Sequence, residues 1–176
     1  MNMPRGQQLL LPANPLFIWG SLVFAFLLNL IQNEALWGRA AWAPDLVAVV
    51  LLFWGVHQPR RIGVGAAFLF GVLMDVHQGS VLGQHALAYT VLNFLAYSIH
   101  RRLFWFAVSA QALQILPVLL IMHAVALGVR LMVGGVFPGY LMLLAPILEA
   151  LFWPVATFLL LLPQRRAPDP DANRPL

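Results

Sequence analysis

Three groupings of side chains could carry chemistry. Gly63, Ala67, Gly71 and Asp75 recur every four residues, which on a helix makes one stripe of small residues ending in a carboxylate. In a membrane such a stripe lets backbones approach closely, and an acid there is a candidate functional group. Plain helix packing accounts for the glycines equally well, and Asp75 could simply accept hydrogen bonds from the amides that open the next helix. Gly79 and Gly83 continue the spacing into a turn that needs unusual backbone angles. The second grouping places His85, Tyr89, Asn93 and Tyr97 on one stripe, with Asn29, Gln32, Asn33, Gln111, Gln114 and His123 on other segments. Polar side chains face lipid only at high cost, so these should face a bundle interior, bonding helix to helix or lining a polar pocket. The third is Glu149, deep in the last apolar run. Counting back from Gly134-Gly135 puts His123 at the same depth. Such a pair could relay protons; the simpler reading is that it locks two helices.

Much chemistry is excluded. There is no H-E-x-x-H, no G-x-S-x-G and no P-loop. The absence of cysteine rules out disulfides, thiolate chemistry and Cys-ligated metals. The five histidines are too scattered to form one site, leaving Asp75, His77 and His85 as the only arrangement for a metal; neither metal nor cofactor is expected. An intramembrane enzyme using Asp75, His85 or Glu149 would lack a recognised nucleophile. There is no lysine, and the arginines are spread along the chain, singly or as short doublets. A nucleic-acid site would gather them on one face with aromatics between, so no nucleic-acid partner is expected.

The elements that must position these residues are apolar. Of the chain, 61% is hydrophobic and 9% charged, against roughly a quarter charged in soluble domains. Apolar runs at 15–36, 46–57, 62–76, 81–99, 103–132 and 140–162 imply an all-α, polytopic six-transmembrane-helix bundle over residues 15–162. Residues 1–14 form a cytoplasmic tail, and 163–176, rich in Pro, Asp and Arg, a disordered cytoplasmic one. The first run superficially resembles a signal peptide, but Ala41-Trp42-Ala43 lies too far beyond it, so it reads as a retained helix. Arg60-Arg61, Arg101-Arg102 and Arg165-Arg166 follow the second, fourth and sixth runs, and Arg5 precedes the first. The positive-inside rule then puts both ends in the cytoplasm, with Arg39 and Arg130 opposite. The second and third runs are short, about 22 Å of helix against about 30 Å of hydrocarbon.

The stretch from Pro44 to Ala86 resembles the rod-shape-determining membrane protein family MreD, in its proteobacterial form. Ala43-Pro44-Asp45, Phe53-Trp54 and Pro59-Arg60-Arg61 carry the likeness. So do Gly71-Val72-Leu73-Met74-Asp75, Gly79-Ser80-Val81-Leu82-Gly83 and Ala86-Leu87, with Trp153-Pro154 near the end. The resemblance implies a non-enzymatic subunit of the bacterial inner membrane that maintains rod shape. Its implied partners are MreC, and directly or through it MreB filaments, a SEDS glycosyltransferase and the elongation transpeptidase. It also implies a fold similar to the S components of energy-coupling-factor transporters. The alternative function is therefore an S-component-like binder of a small molecule or membrane lipid. The small-residue face of the third run and the Pro44–Asp45 entry are the candidate docking surfaces. Glu149 belongs to no motif of the family.

Overall fold

A computed structural model describes residues 13–36 and 40–164. Arg5, Arg39, Arg165 and Arg166, and the expected tails except for residues 13–14 and 163–164, lie outside the described residues.

Six α-helices follow one another: α1 (Pro15–Ile31), α2 (Leu46–His57), α3 (Val64–Gln78), α4 (Gln84–Leu103), α5 (Val108–Met132) and α6 (Leu144–Leu161). Local chemistry sets their ends. Asn14 caps α1, its side chain accepting the Leu16 N–H at 3.0 Å, and Pro15 opens the first turn. A π-helical turn, Gln32–Leu36, continues α1. Asp45 caps α2 through the Ala48 N–H. Gly79 closes α3 at φ 59° and Gly83 precedes α4 at φ 102°, both in the left-handed region that glycine enters freely. α5 runs through Pro117 as one helix, and a 3₁₀ turn, Tyr140–Leu143, leads into α6.

The expectation of six transmembrane helices needs correction. Among the described residues, three helical segments are long and apolar enough to cross a membrane: Pro15–Glu34, Val108–Met132 and Tyr140–Gln164. α2 has 12 residues and α3 has 15, so they rise about 18 and 22 Å, short of about 30 Å of hydrocarbon. α4 has the length, at 20 residues, but His85, Tyr89, Asn93, His100, Arg101 and Arg102 make it too polar.

Packing explains how short helices persist. α2 is buried on every side, with Val47, Leu51, Leu52, Phe53 and Trp54 inaccessible, and it lies against α1, α4 and α6. A helix apolar all round belongs in an interior. The outer helices reverse the pattern of a soluble protein. Phe24, Leu113 and Leu151 are each more than half exposed, while Asn29, Asp75, Asn93, Gln111 and Glu149 are buried. So much contiguous apolar surface is tenable only against lipid.

The connections α1–α2, α3–α4 and α5–α6 meet at one end of the bundle, where residues from all three line one cleft. At the other end lie the α2–α3 and α4–α5 turns. There the rings of His57 and Phe104 meet edge-on at 5.2 Å, and Arg60, Arg61, Arg101 and Arg102 are exposed.

Candidate functional site: a carboxylate hub beneath an open cleft

The segment Pro44-Asp45-Leu46 is where the helices are tied together. Asn29 Nδ2 donates to Asp45 Oδ1 at 2.7 Å, beside the capping Ala48 N–H at 3.1 Å. The Tyr89 hydroxyl donates to Asp45 Oδ2. The Leu46 N–H returns a bond to Asn29 Oδ1 at 3.0 Å, and Gln32 Nε2 donates to the Pro44 carbonyl at 2.8 Å. The Asp45 N–H donates to Glu149 Oε1 at 2.9 Å, and His123 Nε2 meets that same oxygen at 2.9 Å. One short segment thus joins α1, α2, α4 and α6, and Glu149 extends the network to α5 through His123. Glu149 is fully buried, and its Oε2 has no hydrogen-bond partner among the described residues.

Asp75 forms a second, smaller centre at the α3–α4 turn. It accepts from the Ser80 hydroxyl, from the backbone N–H groups of Gly83 and His85 and from His85 Nδ1, each at 2.8 Å, and from the Ala86 N–H at 3.3 Å. Asp75 lies outside the three membrane-crossing segments. Burial opposes its charge, but the bonds from His85, Ser80 and Gly83 outweigh it and hold the carboxyl down at about 2.

The other residues singled out in the sequence divide clearly. Ala67 and Gly71 are buried, and a Cβ on Gly71 would strike the backbone of Ala86 and the His85 carbonyl, so this face of α3 is occupied by α4. Gly63 stands exposed, with nothing near its missing side chain. Asn93 is buried and donates to the Ile62 carbonyl at 3.2 Å, its Oδ1 lying where a side chain on Gly55 would go. Tyr97 turns outward, against the expectation that its stripe faces the bundle. His77 does not join Asp75 and His85, and among the described residues no group of three His, Cys, Asp or Glu is placed to hold a metal.

Two further ties went unnoticed in the sequence. Trp54 Nε1 donates to Ser21 Oγ at 2.8 Å, and Trp153 Nε1 donates to Gln111 Oε1 at 3.2 Å. The available signal was a tryptophan within an apolar run, since a buried indole N–H seeks an acceptor.

Above the hub opens a cleft of about 590 Å³, lined among others by Asn29, Gln32, Asp45, Ser80, His85, His123 and Arg130. The acid on its wall, Asp45, has both carboxylate oxygens used in bonds to Asn29, Ala48 and Tyr89.

Comparison with known sequences decides the family. The family model described as rod shape-determining protein MreD matches residues 13–162, a span that takes in all six helices. The chain belongs to the MreD family. The rod shape-determining protein MreD of Haemophilus influenzae is 28% identical to it over 142 residues, covering 77% of this chain and 85% of that protein. No solved structure matches, so the expected likeness of fold to transporter S components has no structural relative behind it. The chain is a membrane-embedded MreD-family member with several helices apolar enough to span.

Proposed function

We propose that this chain is a non-enzymatic subunit of the bacterial inner membrane that scaffolds the cell-elongation machinery. In this role it holds MreC directly. The elongation transpeptidase, the SEDS glycosyltransferase and MreB are met directly or through MreC, and rod shape depends on the assembly. The observation that carries the reading is the family match across residues 13–162. The geometry supports it, because the buried polar groups are spent on joining helices to one another and the outer faces are apolar. Partners within the bilayer are then recognised by shape and close packing.

In this reading Pro44, Asp45, Ala67, Gly71, Asp75, Gly79 and Gly83 hold the shape of the partner-facing surface, as do His85, Tyr89, Asn93, His123 and Glu149 from the interior. Gly63, exposed at the start of α3, is the member of the small-residue stripe open to a partner. The end bearing Arg60, Arg61, Arg101 and Arg102 faces the cytoplasm by the positive-inside rule, and the chain termini lie on that side.

The test is co-purification from host membranes. Wild-type chain retains MreC, and Asp45→Ala, which unties the hub, loses most of it. Intact, folded wild-type chain that retains no MreC would overturn the proposal.

A further inference from the structure

Beside the polar cleft lies a second hollow of about 400 Å³ between α5 and the start of α6. Its walls are apolar: Leu120, Ala124, Leu127, Phe137, Leu143 and Pro146. Leu120, Phe137 and Leu143 are exposed, so the groove opens on the surface that faces lipid. His123, Leu127 and Met142 line both hollows. A polar cleft therefore runs directly into an apolar groove, the shape of a site for an amphiphile.

The free groups set the sign of the headgroup. Asp45 has both carboxylate oxygens occupied, by Asn29, Ala48 and Tyr89. The acid behind His85 is likewise consumed within its turn. By contrast, Arg130 lines the cleft with no ion-pair or hydrogen-bond partner for its guanidinium among the described residues. His85 and His123 each spend one ring nitrogen on a buried carboxylate and keep the other. In a neutral ring that second nitrogen is an acceptor, so the free cation of the cleft is Arg130, and an arginine suits a phosphate oxygen pair.

We propose that this is a binding site for an anionic phospholipid, with its phosphate against Arg130 in the cleft and one acyl chain along the α5–α6 groove. The proposal goes beyond the scaffold reading and does not depend on it. A polyprenyl phosphate offers the same chemistry from another source, and the experiment separates the two.

The full chain, purified in detergent, is titrated with phosphatidylglycerol, with phosphatidylcholine of the same chains and with a polyprenyl phosphate, and adducts are counted by native mass spectrometry. A single phosphatidylglycerol adduct is expected, at least tenfold tighter than phosphatidylcholine. Arg130→Gln weakens it about tenfold, whereas Arg130→Lys retains most of it. Ala124→Trp fills the groove from an exposed position and abolishes the adduct while the melting temperature is kept. Polyprenyl phosphate displacing phosphatidylglycerol would support the site and assign its occupant to the isoprenoid source. Equal binding of phosphatidylglycerol and phosphatidylcholine, or undiminished phosphatidylglycerol binding in folded Arg130→Gln and Ala124→Trp, would overturn the proposal.

Discussion

Asp45 concentrates the connectivity of the molecule in one residue. Its carboxylate caps α2 and accepts from α1 and α4, while its own N–H reaches Glu149 on α6. Asp45→Ala loses a cap worth about 1 kcal/mol and leaves Asn29 and Tyr89 short of an acceptor at about 1–3 kcal/mol each in an apolar interior. Membrane hydrogen bonds average nearer ~0.6 kcal/mol, so a net loss of about 2–4 kcal/mol is expected in unfolding titrations from mixed micelles. Gly71 and Gly65 make a paired test on one helix. Gly71→Ala drives a methyl into the Ala86 backbone and should markedly lower the melting temperature. Gly65→Ala enters open space within α3 and should be neutral or slightly stabilising, by up to about 1 kcal/mol. The pairing of His123 with Glu149 was legible in the sequence, because a hairpin turn relates depth on one helix to depth on the next. The bond from Asp45 to Glu149 was not, since no periodicity relates residues 104 positions apart.

At the scale of elements, helix count and order were readable from apolar runs and turn residues, but crossing was not. Hydropathy reports that a run is apolar, and α2 and α3 are. It does not report whether a helix meets lipid or other helices, and α2 meets helices on every side. That difference has a measurable consequence. Leu52→Ala, within enclosed α2, should cost about 2–5 kcal/mol as a core truncation. Leu113→Ala on α5, 74% exposed toward lipid, should cost less than ~1 kcal/mol in the same titration. Tyr97 teaches the same lesson in reverse: a four-residue spacing assigned it to the stripe of Tyr89 and Asn93, yet it ends up outside. Phase along a helix drifts, because the repeat is 3.6 residues rather than 4.

For the whole molecule, the doublets Arg60-Arg61 and Arg101-Arg102 lie at the end of the bundle opposite the cleft, which turns a charge pattern into a geometric one. The natural absence of cysteine makes single-cysteine labelling clean. Gln84→Cys at the cleft should react with a membrane-impermeant maleimide from outside the inner membrane, and Arg60→Cys only after lysis. The reverse pattern would invert the orientation proposed above. Family membership was legible because its residues cluster around two tight features, the Pro44–Asp45 entry and the Gly71–Gly83 turn, whose geometry tolerates few alternatives. The scaffold role is tested most directly by depleting this chain in its rod-shaped host and following cell outline by microscopy. Rounding and swelling as the protein is lost, reversed by the wild-type chain and not by Asp45→Ala, is the expected result. Rods of normal width and length after complete depletion would contradict it.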